Sequence, residues 1–474
     1  MTLVYVIIGI IVLYLIFKPA KRVNTYSSGY VRTAPRIQPS WKTRIKSYDI
    51  TGIEINDDFK LALSIIDGDG KSIFITGKAG TGKSTLLKYF RATTKKNIVV
   101  LAPTGLAAIN VDGQTIHSFF KFPPTFIEAN KIRPLRDKEV VKKLDIVVID
   151  EVSMVRADLM DGIDLSLQLN RNNNLPFGGV QMVFIGDLFQ LPPIVKDQEL
   201  KEYFAEHYGS PYFFSAKVFN KINIHMLELN KIYRQTDNEF IGFLNQIREK
   251  KINGISLTKF NQRVKPNGEY DRNSYVTLTP TNAVANEINQ EYLERINSQA
   301  LMYYAHKEGK FEVNAYPTEE ELKLKVGAQV ILIKNDKDKR WVNGTICKIS
   351  NLSSSQIFVN IEGHTCEVKR ELWENIEYYF DREKNKIEER IIGSFEQYPL
   401  RLAWALTIHK SQGQTFSKVI VDMGNGAFAH GQTYVALSRC TSIEGLILRK
   451  PLEYKDIILD DTVYKAEEIF NKIN

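Results

Sequence analysis

The stretch from Ser72 to Thr85 constrains the fold more than any other part of the chain. A strand-like run, Ser72 to Thr76 (SIFIT), leads into Gly77-Lys78-Ala79-Gly80-Thr81-Gly82-Lys83-Ser84, and Thr85 opens the helical stretch TLLKYFRA. The loop satisfies GxxxxGK[ST], with a strand before it and a helix after it. In that setting glycines let backbone amides curl around phosphates, and the helix begins where its dipole favours an anion. Lys83 can reach the outer phosphates and the Ser84 hydroxyl can ligate magnesium, so Gly77 to Thr85 are the expected nucleotide-binding residues.

A phosphate cradle needs a carboxylate for its metal. Leu144 to Ile149 (LDIVVI) is a second buried-strand candidate, and it ends in Asp150-Glu151-Val152-Ser153-Met154. Asp150 is placed to hold magnesium, directly or through water, and Glu151 to orient or deprotonate the attacking water. Taken alone, the two acids could also be a helix amino-terminal turn. A third run, Gln181 to Ile185, ends in Gly186-Asp187-Leu188-Phe189-Gln190-Leu191-Pro192-Pro193, and a fourth, Ile98 to Leu101, ends in Ala102-Pro103-Thr104-Gly105. Four such runs with helical stretches between them predict an α/β chain on a mostly parallel sheet, with the site along its carboxyl edge.

Composition excludes other classes. With 474 residues, 43% hydrophobic and 25% charged, the chain is neither disordered nor collagen-like and has the size of roughly two to four domains. Cys347, Cys366 and Cys440 are scattered, which argues against a disulfide framework and a cysteine zinc site. Lys and Arg number 63 against 55 Asp and Glu. Eight of the cations (Lys18, Lys21, Arg22, Arg32, Arg36, Lys42, Arg44, Lys46) precede the first acid, Asp49, so the globular part is neutral and its pI is no argument for nucleic acid.

Thr2 to Phe17 (TLVYVIIGIIVLYLIF) is an uncharged run of 16 residues, about 24 Å long as a helix. No cation precedes it, and Lys18, Lys21 and Arg22 follow it, the reverse of a secretory signal. It reads as an uncleaved single-pass membrane anchor over residues 1–20, with the enzymatic part facing the cytoplasm. Tyr5, Tyr14 and Lys18 can absorb its slight shortness. A buried amphiphilic helix and a misassigned start are the alternatives. Residues 21–48 read as a basic flexible stem, either solvated or resting on headgroups or phosphates.

Beyond the P-loop the motifs become specific. GKAGTGKST, APTGLAAINVDGQTIHSFF, DEVSM and GDLFQLPP are followed in order by LNKIYRQ (Leu229 to Gln235), LTPTN (Leu278 to Asn282), LTIHKSQGQT (Leu406 to Thr415) and YVALSR (Tyr434 to Arg439). Together they resemble the motifs of the petite-integration-frequency (PIF-type) helicases of the RecD-like superfamily one, over about Ile50 to Leu448. The resemblance implies an ATP- and Mg2+-dependent motor, working as a monomer on single-stranded DNA, moving 5′ to 3′ and unwinding duplex or forked DNA. Replication, repair, recombination and telomere maintenance are the processes it implies. It further implies two RecA-like lobes, 49–225 and 226–324 with 396–474, a wedge insertion at about 121–143 and a small inserted β-barrel at 325–395. The segment 121–143 is too Pro-rich and polar for core, and reads as that wedge or as a surface loop. The runs VGAQVILIKN, WVNGTICKIS, SQIFVNI and HTCEVK themselves alternate like short antiparallel strands, and the charge run Asp381 to Arg390 reads as a solvated hairpin or helix.

Residue roles carry over position by position. Gln190 would sense phosphate between the nucleotide and DNA, and Arg234 and Arg439 would face the outer phosphate from the second lobe, Arg439 resembling the family's arginine finger. The DNA channel would run along Thr104, His117, Ser118 and Phe119 of the first lobe and Thr281, Asn282, His409, Lys410 and Ser411 of the second. Hydroxyls, amides and Lys suit phosphates there, and His and Phe suit stacking. One position departs: Phe59 stands where the family usually has a Gln that reads the adenine edge, which leaves adenine to be stacked or read by backbone groups. ATP remains the expected nucleotide. Two other functions share the loop. A membrane-bound nucleotide switch has no use for HSFF, GDLFQLPP or TIHKSQGQT, and a RecD-like subunit of a larger complex does not need a private anchor.

Overall fold

The structure is a computed structural model that describes Tyr48 and residues 50–195, 197–265 and 275–473. The expected anchor at 2–17 and the stem up to residue 47 lie outside these residues. No helix among the described residues is long and apolar enough to cross a membrane.

The four apolar runs are strands of one parallel sheet. Its seven strands lie in the order Asn471–Ile473, His225–Leu229, Ile73–Gly77, Gln181–Ile185, Ile146–Ile149, Ile98–Ala102 and Gln114–Thr115. Parallel strands joined by helical crossovers are covered on both faces, which is why these runs are apolar throughout. Alternate residues serve opposite cores. Phe74, Val147 and Ile149 pack with Phe177, Phe184 and Phe213, whereas Ile73, Ile75 and Val148 pack with Phe59, Leu86 and Phe90. Since every strand runs the same way, Gly77, Ala102, Ile149 and Ile185 end at one edge, and the loops that carry the motifs follow there.

The lobe boundary differs from the expectation of 225/226, which cuts a strand. Met226 and Leu227 fill the two faces of the first sheet, so the first lobe extends to Leu229. Asn471–Ile473 then pairs with that strand, although the second lobe was expected to run to 474. Phe470 draws the chain end there, its ring 5.6 Å from Phe74 and 5.2 Å from Phe219.

The second lobe holds a parallel four-stranded sheet in the order Ala405–Thr407, Val276–Thr279, Val419–Val421 and Leu446–Leu448. Its core of Phe240, Phe243, Phe260, Val276, Leu278 and Val419 also takes in Ala79 and Leu191 of the first lobe, so the lobes touch beside the P-loop.

The alternating runs form an antiparallel five-stranded sheet, His364–Val368, Ile357–Ile361, Ile346–Leu352, Gln329–Leu332 and Leu400–Leu402, with its own core around Leu322, Leu324, Val330 and Val359. The expected span 325–395 therefore contains two units, because residues 371–397 leave this sheet. Glu371–Asp381 and Lys386–Gln397 form a long hairpin, with the charge run at its tip. The hairpin straps across to the first lobe. Ile376 and Tyr378 enter that lobe's core, Val100 N donates to the Tyr378 hydroxyl at 3.1 Å, and buried Arg91 pairs with Glu389 at 3.2 Å. Within 121–143, Ile127, Val140 and Val141 are buried in the first-lobe core, an anchoring that its Pro and charge content hides. The rest is loop around a short turn, Ala129–Lys131, and a helix, Lys138–Lys142.

Candidate active site

The P-loop wraps the end of its strand through left-handed glycines. Gly80 has φ 84° and Gly82 φ 87°, and a Cβ on Gly80 would stand 2.5 Å from that of Arg234, so only glycine admits the second lobe this close. Helix Lys83–Thr93 starts directly from the loop. Lys83 Nζ donates to the Gly77 carbonyl at 2.6 Å and the Lys78 carbonyl at 3.1 Å. Burial lowers its pKa, while Asp187 and Glu151 favour the charge.

A cleft of about 730 Å3 opens above this loop, lined by Gly80 to Thr85 and by Glu151, Gln190, Arg234 and Arg439. Asp150 and Glu151 follow the central strand, as the carboxyl-edge argument requires. Glu151 sits at φ 50°, ψ 42°, a left-handed conformation that costs a non-glycine residue about 1–3 kcal/mol and is retained mostly at functional sites. Burial pushes Asp150 up to about 7, and the neighbouring Glu151 adds to the shift. Glu151 is also raised by burial, with Lys83 and Arg439 opposing. Gln190 Nε2 donates to Asp187 Oδ2 at 3.0 Å, leaving its carbonyl oxygen 3.5 Å from Arg439 Nη2.

The second lobe brings cations to this cleft. Arg439 is only 2% exposed, and its Nε donates to the Val435 carbonyl at 3.0 Å. Arg234 Nη1 donates to the Ser438 carbonyl at 3.2 Å, and burial together with the Arg439 charge pushes its pKa down to about 9. Three cations from two lobes, half-buried Lys83 and Arg234 and buried Arg439, thus stand around an open cleft, and Arg234 is repelled by Arg439 and repels Lys83, an arrangement that a bound polyphosphate relieves. Magnesium fits as well. Ser84, Asp150 and Glu151 line a second pocket of about 250 Å3. One hydroxyl and one carboxylate are the protein ligands that magnesium takes when phosphates and water supply the rest.

At the outer end of the cleft stand Gly52, Ile53, Glu54, Phe59 and Tyr233. Phe59 is buried under Gly82 and offers no polar atom to a base. Glu54 is paired with Lys231 at 2.7 Å, and Asn56 Nδ2 donates to the Tyr233 hydroxyl.

The expected DNA residues divide into two groups. Thr104, His409 and Lys410 line the pocket that also holds Ser84, Asp150 and Glu151, so residues of both lobes meet beside the carboxylates. Thr281 and Asn282 are exposed at the start of helix Asn282–Glu294, and His117 and Ser118 are half-buried on helix Ile116–Phe120. Ser411 is not presented to a strand, and Phe119 shows only part of its ring, in a separate cleft beside segment 121–143. Phe119 packs edge-on at 4.9 Å against Phe120 in the first-lobe core, and fully buried Ser411 donates its hydroxyl to the Ile408 carbonyl at 2.7 Å. Phe119 lies near the end of a five-residue helix and Ser411 in a turn, where tertiary packing decides which side chains point out.

The family description PIF1-like helicase matches residues 56–256. The ATP-dependent DNA helicase Pif1 of Bdellovibrio bacteriovorus is 32% identical over 84% of this chain and 88% of its own length. The chain belongs to the PIF1-like helicase family. It also matches the ATP-dependent DNA helicase PIF1 of Emericella nidulans at 31% identity over 87% of this chain, but spans only 62% of that relative's length. Among solved structures, Bacteroides Pif1 in complex with ADP-AlF4 is 37% identical, with a TM-score of 0.81 over 88% of this chain and 97% of that one. Bacteroides Pif1 bound to single-stranded DNA matches at the same identity and coverage with a TM-score of 0.63.

This member of the PIF1-like family has site residues that its sequence motifs did not single out. The Tyr434 hydroxyl accepts from the P-loop amide of Ala79 at 2.9 Å, although Tyr434 opens the quoted run YVALSR and could have been suspected. Arg248 pairs with Asp187 at 3.2 Å across the lobes, and nothing near it in the sequence marks it.

Proposed function

We propose that the chain is an ATP-driven DNA helicase that translocates along single-stranded DNA, 5′ to 3′, and opens duplex or forked DNA in repair, recombination or replication. The observation that carries this is the convergence of Lys83 from one lobe with Arg234 and Arg439 from the other on a single cleft that also holds Glu151 and Gln190. Lys83 and the P-loop amides hold the outer phosphates, Glu151 orients the attacking water, and the arginines of the second lobe meet the developing charge. Magnesium, when bound at Ser84 and Asp150, neutralises phosphate charge. Closure of the lobes on nucleotide and their release after hydrolysis then move Thr104 relative to His409 and Lys410, which share one pocket. A channel lined by these groups binds backbone without reading sequence. The Bacteroides relative that holds single-stranded DNA supports the choice of track.

The finer assignments belong to the same proposal. Segment 121–143 is the wedge, supported by a cleft of about 940 Å3 that it forms with Lys310 and with Glu377, Tyr378 and Arg390 of the hairpin. The antiparallel sheet around Val330 and Val359 closes over DNA from the second lobe. Adenine stacks at Tyr233, since Phe59 cannot hydrogen-bond it. The run from Thr2 to Phe17 is a single-pass anchor that leaves the motor in the cytoplasm.

Two experiments test this reading. ATP hydrolysis should rise at least about tenfold with single-stranded DNA, as expected when the track completes a lobe closure, and only 5′-tailed duplexes should open. Hydrolysis indifferent to DNA, with neither tail opened, sinks the motor. Deleting Met1 to Ala20 should move the protein from the membrane fraction to the soluble fraction with its turnover kept, and membrane retention of the truncated protein overturns the anchor.

A further inference from the structure

Arg248 lies outside every motif named above, yet it pairs with Asp187, whose other carboxylate oxygen holds Gln190 of the nucleotide cleft. It ends helix Asn238–Arg248, whose buried face is Phe240, Phe243, Leu244 and Ile247, and it falls on that apolar face itself. Its Nη2 meets Asp187 Oδ1 of the first lobe at 3.2 Å, with side chains 6% and 0% exposed, and its guanidinium lies 3.9 Å over the Phe189 ring. The same helix follows the Tyr233 to Gln235 segment, where Tyr233 N donates to the Gly80 carbonyl at 2.8 Å and Gln235 Nε2 to the Ser438 carbonyl at 3.0 Å. The segment before this helix therefore touches the P-loop, and its last residue touches Asp187.

A buried ion pair is a poor way to glue lobes together, because desolvation offsets much of the attraction, and Ala79 and Leu191 already join the lobes by apolar packing. What the pair supplies is direction. Asp187 as a carboxylate only accepts hydrogen bonds, taking Phe189 N at 3.1 Å and Gln190 Nε2 at 3.0 Å. With its NH2 group committed, Gln190 can only turn its carbonyl oxygen to Arg439. An amide flipped the other way would aim a donor at a guanidinium. Burial alone would raise the Asp187 pKa; Arg248, and then Lys83, hold it below the usual carboxylate range.

We propose that Arg248 is a positioning residue for ATP hydrolysis: through Asp187 it fixes the orientation of Gln190, which in turn holds Arg439 toward the outer phosphate. The relay crosses between lobes twice, so it also ties the second-lobe helix to the nucleotide. This rests on the ATP-driven motor proposed above, and wild-type turnover in the same assay reports on that reading separately.

The test is DNA-stimulated hydrolysis by full-length Arg248→Met, Arg248→Lys, Asp187→Asn and the Asp187→Asn/Arg248→Met double variant, with thermal melts of each. A misplaced catalytic group costs up to about 100-fold, so kcat of Arg248→Met should fall about 30-fold while KM for ATP stays within about threefold. Arg248→Lys, which keeps the charge, should recover most of kcat. Asp187→Asn should match Arg248→Met, and the double variant should be no worse than either single one, the signature of a shared pathway. Near-wild-type kcat in Arg248→Met, multiplying losses in the double variant, or a kcat loss that tracks the melting temperature in all four would each overturn the relay. If Arg248→Met fails to fold, the Arg248→Lys and Asp187→Asn pair decides: wild-type kcat in Asp187→Asn overturns it.

Discussion

Lys83→Ala should lower ATP turnover by about 10³-fold or more, a loss of the size expected when a positioned phosphate-binding cation is removed. The side chain is held against the Gly77 and Lys78 carbonyls, at the base of the P-loop. Its effect on folding should be small and of mixed sign. Burial disfavours the ammonium, so its removal relieves desolvation, whereas two carbonyls lose a donor at about 1 kcal/mol each. Phosphate release and a thermal melt in parallel separate the two effects. Turnover within tenfold of wild type, or a collapse of the fold, would falsify the assignment of Lys83.

The parts of this site that the sequence announces are those where chemistry and backbone geometry coincide locally. Gly77 to Ser84, Asp150-Glu151 and Gln190 each follow an apolar run, and parallel pairing of those runs carries them to one edge without further information. What was illegible depends on distant partners. The strand His225–Leu229 carries polar His225 and Glu228, and its place in the first sheet rests on Ile73–Gly77 and on the chain end. Tyr378 belongs to the first-lobe core although it sits on a hairpin from the inserted region, and no periodicity records that. Ser411 occupies a channel position by its motif, but packing turns it inward, and Phe119 packs against Phe120 with only part of its ring left to a cleft. Arg248 is hardest of all: an arginine at a helix position that should be apolar looks like noise until Asp187, 61 residues away, is seen beside it.

Arg439→Ala should separate binding from chemistry. Arg439 does not line the phosphate loop itself; it approaches from the second lobe, fully buried, held by its Nε on the Val435 carbonyl and facing Gln190. Nucleotide should therefore still bind within about fivefold of wild type, while kcat falls by roughly 10³-fold or more, the scale of a lost arginine finger. Arg439→Lys should recover little, since a lysine point charge cannot hold Val435 and face Gln190 in one geometry. The residual rate should also depend on pH in a defined direction. Burial already raises the Glu151 pKa, and Arg439 is one of the charges that oppose the rise. Without it the Glu151 pKa climbs further and the base is lost at a higher pH than in the wild type, so the remaining turnover of Arg439→Ala should increase with pH more steeply than that of the wild type. Equilibrium binding of a fluorescent nucleotide, together with phosphate release between pH 6 and 9, measures all of this. Loss of affinity in step with loss of turnover would make Arg439 a binding residue and would leave Arg234, which burial and Arg439 now press toward its neutral form, as the group that meets the transition state.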